Sequence, residues 1–300
     1  REIRPKPSMK TPWLSLLIPV YKVEPWLPEC LASIRDQAAQ DIEVLLLDDA
    51  SPDASGALAR QLTEDWPDAR VLVHAKNRGL SAARNSLLAE ARGEYVWFLD
   101  SDDVLLPGSI QSLRDAIAHG APDLVLCDFR VVRERMRLKH RLRGELHRRT
   151  FAGAPRQTRP VEPELVAGLL QVGQLHSWSK IARREVWQAA PFPEGRYYED
   201  MAVIAALIAS TRSYRYVPET WVGYRQREGS ILASSSPAKL LDLLHNAGTL
   251  RAEAQDLPQM SDPAARFPLD HFFLRTVLTG LRVATPLRSA APELDAEIRT

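Results

Sequence analysis

The chain has 300 residues and a mass of 33.7 kDa, enough for one large domain or two small ones with a sizeable buried core. With 45% hydrophobic and 26% charged residues and a mean hydropathy of -0.24 it is not a disordered chain. Its 39 basic residues against 38 acidic ones exclude a simple nucleic-acid binder and an acidic solvating protein, so the placement of charge matters more than its sum.

Residues 1–12 form a polar, Pro-containing tail without the charged-then-apolar order of a signal peptide. From 13 to 130, short β-branched or Leu-rich runs alternate with amphipathic stretches, the pattern of an α/β fold with an open, mostly parallel twisted sheet flanked by helices. Strands are predicted at 14–20, 42–47, 70–74, 95–99 and 123–129, and helices at 25–38, 55–65, 80–91 and 109–119. Periodicity weakens between 130 and 163, where a loop or hairpin is expected. Helices resume at 163–171, 183–189 and 199–210, with a strand near 214–217. After Gly229 the pattern is helical, at 237–253 and 267–284, which predicts a C-terminal helical extension. Core packing is the default for its apolar stripes, and a homodimer or a second catalytic domain docking through these helices is the alternative.

Cys30 and Cys127 are too few for a disulfide framework, and their neighbours Leu31 and Leu126 suggest core positions in a reducing compartment. No apolar run approaches the ~18 residues that span a bilayer. A cytoplasmic protein, or one peripheral at the inner face of the membrane, is expected.

In open α/β sheets ligands bind beyond the carboxyl ends of the strands. Two acidic clusters fall there: Asp48-Asp49-Ala50-Ser51 after Val44–Leu47, and Asp100-Ser101-Asp102-Asp103 after Tyr95–Leu99. One such pair alone reads best as a cap or turn. Two at successive strand ends, with three carboxylates in four residues at the second, suggest a hard divalent cation that bridges to phosphate oxygens.

Ile18-Pro19-Val20-Tyr21, Asp48-Asp49-Ala50-Ser51-Pro52-Asp53, Asn77-Arg78-Gly79-Leu80-Ser81-Ala82-Ala83-Arg84-Asn85 and Asp100-Ser101-Asp102-Asp103 together resemble the family 2 glycosyltransferases of GT-A fold. Trp178-Ser179-Lys180, Glu199-Asp200 and the stretch Tyr224 to Ser230 resemble later landmarks, so the likeness covers 14–231 and leaves the helical end unaccounted for. The resemblance implies a nucleotide-sugar-binding half at 13–130 and an acceptor-side half with the catalytic base at 131–231; the helical extension read from the periodicity occupies 232–300. It implies that Pro19, Tyr21 and Asp49 meet the base and ribose of the donor, that Arg84 lies near the diphosphate or base, and that Asp100 and Asp102 face ribose and metal. Asp103, with Asp102, is the implied ligand of Mn²⁺ or Mg²⁺, and which aspartate touches the ion directly stays open. Ala50 stands where the family often has Gly, and Ser179 where it often has Asn.

A divalent ion across the two phosphates would neutralise charge on a leaving nucleoside diphosphate, and the remaining need is a base for the acceptor hydroxyl. Asp200 fits that need and matches the family position, with Glu199 in support; taken alone, the pair would read as acids at a helix N-terminus. His176, Trp178 and Lys180 are candidate acceptor contacts, and Arg225 and Arg227 candidate diphosphate contacts. Between Arg130 and Arg149 nine basic residues face two glutamates, and the alternation of Met136, Leu138 and Leu142 with charge predicts a strand with one basic face. That face would meet a phosphate-bearing acceptor or an anionic membrane surface, or be a solvated hairpin.

The expected function is therefore inverting, metal-dependent transfer of a sugar from a UDP-type donor to a hydroxyl of a saccharide, polysaccharide or lipid-linked acceptor. The alternative is a catalytically silent nucleotide-sugar-binding module of a polysaccharide-synthesis assembly. A dinucleotide-dependent dehydrogenase is excluded because no G-x-G-x-x-G follows the first strand, and a P-loop enzyme because no G-K-[ST] occurs.

Overall fold

Leu14–Val20 and Ile42–Asp48 are buried at every position, which is what strands covered on both faces require. The computed structural model of the chain describes residues 11–38, 41–133, 137–226 and 236–287. In chain order it contains β1 (Leu14–Val20), α1 (Leu27–Arg35), β2 (Ile42–Asp48), α2 (Ser55–Thr63), β3 (Ala69–Val73), α3 (Leu80–Glu90), β4 (Tyr95–Phe98), β5 (Val104–Leu105) and α4 (Ser109–Ala118). Then follow β6 (Leu124–Val132), α5 (Leu138–Leu142), β7 (Thr158–Pro160), α6 (Pro163–Val172), β8 (Lys180–Arg183), α7 (Arg184–Gln188), α8 (Glu199–Ala202), α9 (Ile204–Ala209), β9 (Ser213–Arg225), α10 (Pro237–Gln255) and α11 (Pro263–Leu287).

The strands form one sheet in the order β3-β2-β1-β4-β8-β6-β9-β5, with β7 paired to β9. The β3-β2-β1-β4 half is wholly parallel, as its apolar runs predict. In the other half β8 lies antiparallel to both β4 and β6, β6 runs parallel to β9, and β5 and β7 are antiparallel to β9. Successive residues of β1, β2 and β4 point to opposite faces. Leu17, Leu45, Leu47, Val96 and Phe98 join a core with α3, α6, α7, α9, α10 and α11. Leu16, Ile18, Val44, Leu46, Tyr95 and Trp97 join a second core with α1, α2 and α4, which also buries the free thiols Cys30 and Cys127.

The helical end does not stand apart. Leu250 and Ala254 of α10 and Leu269 and Phe272 of α11 belong to the same core as α6 and α9. On the outer face of α11, Phe267, Leu274 and Leu278 stay exposed. No helix among the described residues is long and apolar enough to cross a membrane.

Two expectations need correction. The helix predicted at 199–210 is two pieces, α8 and α9, which meet at Val203. The predicted basic strand does not extend through 130–149: β6 ends at Val132 and Leu138–Leu142 is a helical turn, so Leu138 and Leu142 share one side of it by their i, i+4 spacing rather than by strand alternation.

Candidate active site

The carboxyl ends of β1, β2 and β4 bring Pro19, Tyr21, Asp49 and Asp100 to one edge of the sheet, since all three strands run in the same direction. Pro19 is buried in the β1–β2 register opposite Leu47, and Tyr21, just past the strand, is 39% exposed. Asp48 accepts from the Ser51 amide at 2.9 Å. A Cβ on Gly56 would lie 2.0 Å from Asp48 Oδ2, so glycine is what lets the first turn of α2 close over that carboxylate. Ala50 adopts φ +54°, a left-handed conformation that strains a side-chain-bearing residue by about 1 kcal/mol and explains why glycine suits this position.

Asp49 is almost fully buried and fully engaged. His74 Nδ1 lies 2.6 Å from Oδ1, and the amide of Arg78 donates to it at 2.9 Å. Asn77 Nδ2 at 2.9 Å and the amide of Gly79 at 2.7 Å donate to Oδ2. A carboxylate offers about four lone-pair sites, so a nucleotide base would have to share a position already occupied. Gly79, at φ +87°, turns the chain so that its amide reaches Asp49 while α3 begins at the next residue.

From α3, the Arg84 guanidinium enters the interior with no exposure and meets three carboxylates. Nη2 donates to Asp100 at 2.8 Å, and Nη1 donates to Glu199 at 2.6 Å and Asp200 at 3.1 Å. Phe192 packs under the guanidinium plane at 5.2 Å. The resemblance places Arg84 near the diphosphate or base; the structure makes it a buried strut between the β4 cluster and α8. One guanidinium does not offset three acids. Burial, reinforced by Asp200, pushes Glu199 up to about 7, and burial also raises Asp100 despite Arg84.

At the β4 end, Asp103 Oδ1 accepts from the Arg225 amide at 2.7 Å, delivered by the last residue of β9. Oδ2 is buried without a hydrogen-bond partner. Burial, then Asp102 and Asp100, raise the Asp103 carboxyl well above the usual range. Among the described residues no three His, Cys, Asp or Glu side chains close into a cage. Mg²⁺ and Mn²⁺ usually need only one or two carboxylates when substrate phosphates complete the shell. An orphaned oxygen on an acid crowded by two others fits that demand.

Glu199 and Asp200 open α8, presented by Tyr198 at φ +59°. That turn is held from the helical end: Asn246 Nδ2 of α10, itself 1% exposed, donates to the carbonyls of Tyr197 at 2.7 Å and Tyr198 at 3.1 Å. Asp200 keeps 21% of its side chain exposed, whereas Glu199 is turned inward.

Among the smaller expectations, Trp178 is corrected as a sugar platform. It is 1% exposed, covered by His176, which stacks on it at 4.6 Å and 7°, and by Tyr224 at 5.9 Å. His176 and Tyr224 are the partly open members of this aromatic stack, and burial lowers His176 to about 4, which keeps the ring neutral. Lys180 is also corrected: it is wholly buried, and Nζ donates to the carbonyls of His176 at 2.8 Å and Gln174 at 3.3 Å and to Ser179 Oγ at 3.2 Å. Burial lowers it to about 8. Arg225 does not swing free over a diphosphate, because Nε donates to the Asp102 carbonyl at 2.9 Å and Nη2 pairs with Glu29 at 2.6 Å. Arg227 lies outside the described residues. A cleft of about 580 Å³ between α10 and α11, lined by Arg251, Met260 and Asp270 among others, shares no residue with this site.

His74, Asn246 and Phe192 escaped the sequence reading. His74 follows β3 at its carboxyl end, where the strand-end rule points; Asn246 and Phe192 carry no local signal.

The model of glycosyl transferase family 2 matches residues 15–169. Over 230 residues the chain is 29% identical to an uncharacterized glycosyltransferase, EpsJ, of Bacillus subtilis, which covers 73% of this chain and 63% of that protein. It is 27% identical over 221 residues to glycosyltransferase GlyA of Streptococcus pneumoniae, covering 73% of this chain but only 31% of that one. The chain thus spans less than two thirds of the length of both curated relatives. Among solved structures, TarS 1-349 of S. aureus in complex with UDP-GlcNAc matches with a TM-score of 0.69 at 21% identity, covering 86% of this chain and 71% of that one. The mannosyltransferase PcManGT from Pyrobaculum calidifontis, in complex with GDP-Man and Mn²⁺, matches with a TM-score of 0.57 at 17% identity over 98% of this chain and 87% of that one. At these identities the structural likeness speaks for the fold.

Proposed function

The chain belongs to glycosyl transferase family 2, and on that premise we propose that it is an inverting, metal-dependent transferase. It would move a sugar from a UDP-type donor to an acceptor hydroxyl in a single displacement. The observation that carries this reading is the reach of one side chain: Arg84 touches Asp100 of the donor-side cluster with one nitrogen and Asp200 with the other. The two carboxylates are thereby held a guanidinium's width apart, with 28% of the Asp100 and 21% of the Asp200 side chain exposed at the same edge.

The donor would lie along the β1, β2 and β4 ends, with Tyr21 and the Asn77–Gly79 turn, shaped by Asp49, against the base and ribose. Asp103, with Asp102 beside it, would hold Mn²⁺ or Mg²⁺, which when bound neutralises charge on the departing diphosphate. The remaining steps belong to the chain. Asp200 Oδ accepts the proton of the acceptor hydroxyl as its oxygen attacks the anomeric carbon from the face opposite the leaving group. Arg84 keeps the carboxylate in place, its Nη1 shared between Glu199 and Asp200. His176 and Tyr224 would present ring faces to the acceptor.

UDP-GlcNAc in the TarS structure supports the choice of nucleotide, and Mn²⁺ beside GDP-Man in the PcManGT structure supports the choice of ion. NMR of the product formed from a UDP-sugar tests the mechanism: inversion at the anomeric carbon is expected, and retention would rule out a single displacement with Asp200 as base.

A further inference from the structure

The basic run between β6 and β7 takes no part in the site, yet it is firmly built. Phe129 and Arg148 exchange backbone hydrogen bonds at 3.1 and 2.7 Å, and the Val131 amide donates to the Glu145 carbonyl at 2.7 Å. Buried Asp128 accepts from Tyr216 Oη and the Thr150 amide and faces His147 Nε2 at 2.7 Å. Arg133 pairs with buried Glu145 at 2.6 Å and touches Gln226 beyond β9. The hairpin therefore rises from a rigid root.

Its tip exposes what the root does not need. Leu138 and Leu142, one turn apart on α5, are 71% and 81% exposed, and Leu146 is 47% exposed. Arg137, Lys139, Arg141 and Arg143 surround them, all exposed, while the one acid of this stretch, Glu145, is turned inward to Arg133. Single exposed leucines are ordinary, but three within nine residues among four cations form a patch that calls for a partner. A soluble phosphate-bearing molecule would reward the cations and not the leucines. An apolar protein face would reward the leucines and leave the cations uncompensated. An anionic bilayer surface rewards both.

We propose that the tip at 137–146 docks on anionic membrane lipid, with Leu138 and Leu142 at the headgroup–acyl boundary and the four basic side chains on lipid phosphates. The root places the catalytic edge beside that surface: Val132 of β6 pairs with Arg225, whose amide holds Asp103. An acceptor carried in the bilayer is then the substrate class that reaches Asp200; this last step rests on the transfer reading above, whereas the docking does not.

Sedimentation of the full chain with vesicles tests it, using phosphatidylcholine alone and phosphatidylcholine with one-third phosphatidylglycerol. Binding is expected only to the anionic vesicles. Replacing Arg137, Lys139, Arg141 and Arg143 by Gln should weaken it at least about tenfold. The pair Leu138→Ser and Leu142→Ser should weaken it several-fold at the same salt, because those side chains would supply the apolar part of the contact. All six positions are exposed, so the melting temperature and the Mn²⁺-dependent stabilisation by UDP should match the parent chain. Absence of binding to anionic vesicles at low salt would overturn the proposal. So would a leucine variant that binds like the parent, since the face would then serve a soluble anion. Loss of UDP stabilisation in every form, with vesicle binding intact, would instead remove the transfer reading and leave the docking standing.

Discussion

Asp48 and Asp49 at the end of β2, and Asp100 to Asp103 beyond β4, lie at the carboxyl ends of buried strands on the same edge of the sheet, but their oxygens meet different surroundings. Asp49 holds His74, Asn77 and two main-chain amides, so that both of its buried oxygens are engaged. Asp103 holds one amide, leaves Oδ2 without a partner, and is crowded by Asp100 and Asp102. The oxygens of Asp49 are taken up by the fold, whereas Asp103 keeps one in reserve. Under the proposed function the first acid shapes the site and the second is the one that would take a cation.

That contrast can be broken or sharpened by substitution. The largest effect should come outside both clusters, at the group they serve: Asp200→Asn is expected to lower transfer by about 10²–10⁴-fold, the usual contribution of a positioned base, with donor binding retained. A variant with parent-like turnover would remove Asp200 from the reaction. Next, Asp49→Ala should lower the melting temperature of the ligand-free protein by roughly 5 °C, because four hydrogen bonds that tie the 74–79 turn to β2 are lost and water replaces only part of them. Asp103→Asn should leave that temperature unchanged or raise it, since it relieves an uncompensated buried acid. Equal losses in the two variants would erase the distinction. Asn246→Ala, in α10, should reduce kcat roughly tenfold through the Tyr197–Tyr198 turn while donor KM stays put, and restoring the side-chain amide as Gln should recover part of the rate.

The smallest effect concerns pH. Burial raises Glu199 to about 7, above its ordinary carboxylate value, so its contribution to stability is complete at acid pH and is lost as pH rises through about 7. Glu199→Gln keeps a neutral side chain throughout. The variant should therefore gain on the parent chain between pH 5 and 8 by on the order of 2 kcal/mol, followed as the difference in melting temperature. A difference independent of pH would mean that the acid is already ionised at pH 5.

Much of the parallel half was legible because β1, β2 and β4 are buried on both faces and read as mainly apolar runs, broken only by Ser15 and Glu43 before the acids that end β2 and follow β4. The shortest strands of the other half were not. β5 and β7 have two and three residues, too few for any periodicity, and β8 was hidden inside a motif noticed for its Trp and Lys. The break at Val203 carries no Pro or Gly to announce it. At the site, the two acid clusters of the sheet were legible from their position at strand ends, whereas Glu199 and Asp200 stood out only through the resemblance. What each acid touches was not, because the deciding donors lie far along the chain: Arg225 is 122 residues from Asp103, and Glu199 is 115 from Arg84. The aromatic stack misled for the same reason, since only the fold shows that His176 and Tyr224 cover Trp178.

The central claim is that Asp103 belongs to a metal-and-diphosphate site, and thermal stability with UDP, in Mn²⁺ and in chelator, tests it most directly for the parent chain and Asp103→Asn. UDP at about 100 times its Kd should add roughly 2.7 kcal/mol to the parent chain in Mn²⁺, with little effect in chelator, and the metal-dependent increment should vanish in Asp103→Asn. An increment of the same size in both proteins, or one that survives chelation, would contradict it.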